Sequence, residues 1–266
     1  MIREITIGQY YPADSILHRL DPRVKLLGTL VYIISLFVFR SWGYLLGMVF
    51  LAVLILLSKV PFSFMVRGLK AIVILLIFTM LLNMLLTPGT VIWQWKFIKI
   101  TVEGLKMAGK MGIRLIFLIL GASLMTLTTT PNKLTDGLER SFRPLKAVHV
   151  PVHEIAMMMS IALRFIPILL EETDKIMKAQ TARGADFESG GLIRRVKAMV
   201  PLLVPLFISA FRRANDLAMA MEARCYHGGE GRTQMKPLHY ERRDYIAYGI
   251  LAVYLAAAIV LRVLGY

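Results

Sequence analysis

Residues 26–57 form an almost uninterrupted apolar run, broken only at Arg40-Ser41-Trp42-Gly43. One helix of that length would extend about 48 Å, well past the ~30 Å hydrocarbon core of a bilayer. The run therefore reads as two short tilted spans, 26–39 and 44–57, joined by a tight turn. Three further apolar stretches follow: 71–86, closed by Thr87-Pro88-Gly89; 113–127, ending at Thr128-Thr129-Thr130-Pro131; and 245–264. The chain is 57% hydrophobic, with a mean hydropathy of +0.63, yet carries a net charge of +15. A soluble domain does not normally combine those values, whereas a helical membrane protein with basic loops does.

The basic residues orient the spans. With the N-terminus inside, residues 1–25 hold 4 Lys and Arg, 59–70 hold 3 and 131–243 hold 18, together 25 of 32. The others are Arg40, Lys96, Lys99, Lys106, Lys110, Arg114 and Arg262. The short 59–70 loop has three cations and no acid, and short loops weigh most in the positive-inside rule. The segment 88–110 is the awkward one, since its four lysines then face outward. These features predict an all-α integral membrane protein with about five transmembrane helices and a cytoplasmic helical domain. The expected division is a membrane domain over 1–130, the cytoplasmic helical domain, to which the resemblance given below assigns a coupling role, over 131–243, and a C-terminal span over 244–266. The expected location is the cell membrane, with the N-terminus cytoplasmic and the C-terminus outside.

The first 25 residues are polar and show no signal peptide, and the single Cys225 excludes an intramolecular disulfide. Positive charge alone would admit nucleic acid. The cations are scattered beside apolar helices without interleaved aromatics, so membrane topology explains them better.

The segment 131–243 contains two apolar stretches that do not read as ordinary spans. Residues 155–170 are interrupted by Arg164 and Pro167. Residues 198–211 are only fourteen long, carry Pro201 and Pro205, and lie between Arg194-Arg195 and Arg212-Arg213. Both read as buried or interfacial helices, with an extra membrane hairpin as the alternative. Along the first, a stripe of Ile155, Met159, Ala162, Ile166, Leu169 and Ile176 is followed seven residues later by Arg183. Along the second, Leu206, Ala210, Ala214, Leu217 and Met221 form a stripe, and Arg224 lies seven residues after Leu217. Each helix thus ends alike, in Ala182-Arg183-Gly184 and Ala223-Arg224-Cys225. Gly184 suits a helix stop, whereas Cys225 suits one less, so Gly228-Gly229 is the expected break there. A dipole-offsetting role needs only a cation. Two arginines in matching contexts point instead to planar recognition of carboxylates.

These ends, together with His18-Arg19-Leu20-Asp21-Pro22-Arg23-Val24-Lys25-Leu26 and Leu163-Arg164-Phe165-Ile166-Pro167, resemble the transmembrane T component of energy-coupling-factor (ECF) transporters. The resemblance covers nearly the whole chain and implies a coupling subunit of an ATP-driven vitamin or micronutrient uptake system. It implies two cytosolic ABC-type ATPase partners, each receiving one helix end through Arg183 or Arg224, and a membrane S component that binds the substrate. ATP and Mg²⁺ then belong to the partner ATPases, and this chain binds no cofactor or metal. Cys225 departs from the glycine the family often has there.

Other signals carry less. Gly104-Leu105-Lys106-Met107-Ala108-Gly109-Lys110 imitates the start of a phosphate-binding loop, but Met111 replaces the Mg²⁺-binding Ser or Thr. His149 and His153 are four apart with Pro151 between them and no third ligand, so capping or loop roles are expected. Gly43-x3-Gly47 is compatible with close helix contact. Asp21 before Pro22 reads as a helix N-cap. Arg164 needs a partner, with Glu154, Glu171 or a carbonyl freed by Pro167 available, and a part in transmitting motion is the alternative. The methionines at 157–159, 199, 219 and 221 suit either ordinary core or a surface that repacks. A stand-alone scaffold or secondary carrier is the competing function, but the spans offer Asn83 and little else at mid-depth. An intramembrane enzyme lacks a nucleophile or metal set.

Overall fold

The structure, a computed structural model, describes residues 10–39, 42–95, 98–187, 191–229, 235 and 237–264. In chain order the helices are α1 (Ile16–Arg19), α2 (Pro22–Val38), α3 (Gly43–Ser58) and α4 (Phe62–Leu86). Strands β1 (Val91–Trp95) and β2 (Ile98–Thr101) follow, then α5 (Val102–Thr128), α6 (Pro131–Phe142), a 3₁₀ turn (Arg143–Val148), α7 (Val152–Ala182), α8 (Leu192–Ala223) and α9 (Arg242–Val263). The described residues are all-α apart from one antiparallel strand pair, in which Val91 pairs with Thr101 and Trp95 with Ile98. Arg40 and Ser41 of the expected turn lie outside the described residues.

Two compact units result, one from residues 8–138 and 238–266 and the other from 139–237. In the first unit, the expected spans coincide with helices α2, α3, α4, α5 and α9, except that Phe39 and Leu264 are the C-caps of α2 and α9. By length and apolarity α5, α7 and α9 are each able to cross a membrane, and α4 is a fourth when its arms Phe62–Lys70 and Ile72–Leu86, bent by 61°, count as one span. α2 and α3 have 17 and 16 residues, about 26 and 24 Å, which are short for a bilayer and call for local thinning. α7, with 31 residues, is therefore long enough to span, although its apolar part reads as interfacial from sequence alone.

The expected loop at 88–110 takes a different form. Val91 to Trp95 and Ile98 to Thr101 are rich in β-branched and aromatic residues, and they pair as a hairpin rather than remaining irregular. Lys106 and Lys110 lie on α5, which starts eleven residues before the apolar stretch because Thr101 caps it, accepting from the Gly104 N–H at 3.0 Å. Gly104, Ala108 and Gly112 repeat every four residues along α5. A methyl on Gly104 would lie 2.8 Å from the Met84 carbonyl oxygen, and one on Gly112 would lie 2.8 Å from Met80 Sδ. The sequence that imitates a phosphate loop is thus a helix face packed against α4. Gly43 and Gly47 let α3 approach the end of α2 closely: the Phe39 ring folds over both, and a methyl on Gly47 would also lie 3.4 Å from Leu36 of α2.

Polar contacts gather the helix ends of this unit. Asp21 caps α2, accepting from the Arg23 N–H at 2.8 Å, with Pro22 following as expected. Asp244, 2% exposed, accepts the Asp21 N–H (2.8 Å) through Oδ1 and the Glu241 N–H (2.8 Å) through Oδ2. Arg23 is bidentate to Asp21 and lies over the Tyr240 ring at 3.8 Å. Lys25 Nζ donates to the Thr128 carbonyl (2.8 Å) and to Thr129 Oγ1 (3.2 Å) at the end of α5. His18 Nε2 donates to the Tyr11 carbonyl (3.0 Å), while Nδ1 faces Ser15 Oγ (2.7 Å). Burial holds this imidazole below its ordinary pKa. The run His18–Leu26 is therefore a clasp that gathers the N-terminal ends of α2 and α9 with the C-terminal end of α5.

The core between the helices is aromatic. Phe50 stacks on Tyr254 with centroids 4.2 Å apart, Ser35 Oγ and Tyr254 OH are 2.6 Å apart, and the Tyr32 ring lies against Gly121. A methyl on Gly121 would lie 2.7 Å from Tyr32 Cε1, whereas one on Gly109 meets nothing. Gly121→Leu is accordingly expected to cost about 1–3 kcal/mol by overpacking, and Gly109→Ala to leave stability unchanged or higher. Thermal unfolding of the two detergent-solubilised variants checks this; an unaltered Gly121→Leu midpoint would contradict the packing.

Candidate docking site at two helix ends

The second unit is built on α7 and α8, whose C-termini finish in the same way. At the end of α7, the Gly184 N–H donates to the Thr181 carbonyl (2.9 Å) and the Ala185 N–H to the Gln180 carbonyl (3.0 Å). At the end of α8, the Cys225 N–H donates to the Glu222 carbonyl (2.8 Å) and the Tyr226 N–H to the Met221 carbonyl (3.0 Å). Both are the paired-bond Schellman stop, with a left-handed residue just past the cap. Gly184 takes φ +88 and Cys225 takes φ 54. Arg183 and Arg224 occupy the cap positions with nearly the same backbone, φ −90, ψ 6 and φ −94, ψ 14.

This corrects one expectation. Gly228-Gly229 does not supply the second break: Cys225 itself adopts the left-handed conformation. The six-to-one and five-to-two backbone bonds and the exposed small side chain offset a cost of about 1–2 kcal/mol for an L-residue there. Gly229 instead packs closely on the His153 ring. Ala182, Arg183, Gly184, Ala223, Arg224 and Cys225 are all exposed, and neither arginine forms an ion pair with a described residue. Two exposed guanidinium-bearing residues thus sit on two backbones of the same shape, each at the Schellman-closed C-terminus of a helix.

One interaction that the sequence reading did not pair spaces these ends. Glu172 of α7 accepts from Ser209 Oγ and Arg213 Nη2 of α8, both at 2.7 Å. Arg183 follows Glu172 by eleven residues, and Arg224 follows Arg213 by eleven. Eleven residues make about three helical turns, so each terminal arginine lies about 16 Å along its helix beyond the crossing. The equal offsets were the available signal. Beside the crossing, Ile161, Phe165, Leu169, Ala210, Ala214 and Leu217 line an apolar groove of about 270 Å³.

The remaining candidates lie elsewhere. Pro167 sits inside α7, and Arg164 is exposed, without Glu154, Glu171 or another described carboxylate as a partner. His149 ends the 3₁₀ turn at φ 61, the loop role expected, whereas His153 lies in the first turn of α7 and its Nδ1 meets Glu139 of α6 at 2.9 Å. Among the described residues no three His, Cys, Asp or Glu side chains cluster as metal ligands.

Fold and helix ends together define a multi-helix membrane protein that displays two matched, arginine-tipped ends. The model of the cobalt transport protein family CbiQ matches residues 13–235. The energy-coupling factor transporter transmembrane protein EcfT of Ruminiclostridium cellulolyticum is 54% identical over 262 residues, covering 98% of this chain and 98% of its own. Those of Clostridium kluyveri and Bacillus subtilis are 58% and 50% identical, covering 93% of each chain for the first and 92% and 93% for the second. The chain belongs to this family, the transmembrane T components of energy-coupling factor transporters.

The stop geometry is directly testable. Cys225→Gly is expected to preserve the end of α8, while Cys225→Val, a β-branched residue at positive φ, should weaken it by about 1–2 kcal/mol. Amide hydrogen exchange at Tyr226 reads the difference; equal protection in both variants would contradict a left-handed stop at 225.

Proposed function

We propose that the chain is the membrane coupling subunit of an ATP-driven vitamin or micronutrient uptake transporter, linking two cytosolic ATPases to a substrate-binding S component. The observation that carries this reading is the pair of helix ends with the same backbone stop and an exposed guanidinium on each. Two like sites suit two like partners, and family membership in the energy-coupling factor transporters supplies the class of assembly. Each arginine enters a groove of one ABC-type ATPase and meets carboxylates there, an arrangement that favours Arg over Lys through bidentate bonding.

ATP and Mg²⁺ are used on the ATPases, and this chain performs no chemistry. When ATP draws the two ATPases together, both helix ends move with them. The Glu172–Arg213 contact serves as the pivot, so displacement at the ends becomes rotation of the apolar faces beyond it. Exposed Met158, Met159 and Met199 lie beyond that pivot, where unbranched, adaptable side chains suit a surface that repacks against the S component. Pro167 and Arg164 lie on the same helix and are proposed to help transmit the motion. The S component sets the substrate.

The orientation belongs to the same proposal. The N-terminal ends of α2 and α9 and the C-terminal end of α5 share one end of their unit. That arrangement suits five crossings with the N-terminus and residues 131–243 in the cytoplasm and the C-terminus outside.

Arg183→Ala and Arg224→Ala are each expected to weaken ATPase association, by about 2–5 kcal/mol per buried charge pair. The double variant should abolish assembly and uptake, and the Lys variants should recover only part. Co-purification of ATPases with uptake into vesicles measures this. The exposed Cys225 thiol adds an independent readout, since docked ATPases should shield it from maleimide. Full ATPase association in the double Ala variant would refute the proposal.

A further inference from the structure

A second charged feature lies in the other unit and has no part in the docking proposal. Asp14, Ser15, Ile16, Arg19, Leu56, Leu57, Lys59 and Arg243 enclose an open hollow of about 590 Å³. Three cations reach it from three separate elements: Arg19 from α1, Lys59 from the cap of α3, and Arg243 from the first turn of α9. Against them stands one lining carboxylate, Asp14, which Arg19 holds in a bidentate pair. Lys59 makes no hydrogen bond or ion pair with a described residue and acts on Asp14 only at a distance. Its φ of 56 is the left-handed turn that ends α3 and carries it to the rim. Arg243 bonds Glu241 through Nη2, yet its Nε, though buried, has no partner. The hollow therefore offers an unpaired ammonium, with a guanidinium shared with Glu241 beside it.

The opposite wall is apolar and exposed. Leu56 is 78% exposed and Ile16 is 59% exposed, with Leu57 beside them. Leu56 and Leu57 continue the exposed apolar side of α3 up to the helix end where the cations sit, and Ile16 of α1 lies beside them. A soluble anion would use the cations and leave that wall in water. A ligand with a phosphate head and a hydrocarbon tail matches both halves, and cationic pockets at the ends of spans bind such headgroups.

We propose that this hollow is a binding site for the phosphate headgroup of an anionic phospholipid, whose acyl chain lies along Leu56 and Leu57. Lys59 contacts the phosphate, the Arg243 guanidinium, shared with Glu241, adds positive charge beside it, and Arg19, held by Asp14, forms the far wall. The bound lipid anchors the junction of α1, α3 and α9 to the leaflet at that end.

The test is native mass spectrometry of the full-length chain, purified in mild detergent with whatever subunits accompany it, titrated with phosphatidylglycerol or phosphatidylcholine. One phosphatidylglycerol should be retained preferentially. Lys59→Asn keeps the left-handed turn, because Asn tolerates that conformation. It should weaken retention about fivefold, and adding Arg243→Gln about 20-fold or more, as one and two lost cations near an anionic headgroup imply. Lys106→Gln with Lys110→Gln, outside the hollow, should change nothing. Undiminished phosphatidylglycerol retention in Lys59→Asn would overturn the proposal. So would inorganic phosphate binding as tightly as the lipid and displacing it, which would mark a soluble-anion site.

Discussion

The membrane unit depends on one buried carboxylate. Asp244 binds the Asp21 N–H with one oxygen and the Glu241 N–H with the other, joining residues 223 positions apart in the chain. A buried charge needs donors, or burial costs several kcal/mol. Here the donors are orphan N–H groups at the starts of α2 and α9, which themselves need acceptors. Satisfying both requirements in one place fixes the two helices side by side. Arg23, clamped on Asp21 and lying over Tyr240, balances charge there, and Lys25 extends the same network to the end of α5.

With the ends fixed, the interior fills with rings. Tyr32, Phe39, Phe50 and Tyr254 pack between α2, α3 and α9, and the small residues of α5 allow close approach to α4 and to Tyr32. The outward faces are left to apolar side chains such as Ile34, Ile74 and Val253, which a bilayer covers at no polar cost. The other unit solves a different problem. Its two long helices end in the open, and their last carbonyls are closed locally by Schellman bonds. The Glu172–Arg213 ion pair joins α7 and α8 at equal distances from their two ends.

Much of this was readable in the chain because the signals were local. Apolar run lengths located the helices, Asp21-Pro22 announced a cap, and the repeated tripeptides marked the two ends. What escaped was non-local or depended on backbone energy. The Asp21–Asp244 link crosses most of the sequence, and nothing in either neighbourhood names the other. The hairpin at 91–101 was hidden because its lysines drew attention to topology rather than to alternating β-branched and aromatic residues. At Cys225, residue preference argued against a left-handed stop, yet two backbone hydrogen bonds hold it there. The Glu172–Arg213 contact lay within reach, since each partner precedes its terminal arginine by the same eleven residues.

The central claim is that the two arginine-tipped ends form a paired device, moved about the Glu172–Arg213 crossing by ATP-driven partners. The most direct measurement is the distance between spin labels at Ala185→Cys and the native Cys225 in the assembled transporter, with and without a non-hydrolysable ATP analogue. The account predicts a distribution that shifts with nucleotide, and that stops shifting when Arg183 and Arg224 are both replaced by Ala. An unchanged distribution in a complex whose uptake remains ATP-driven would contradict it.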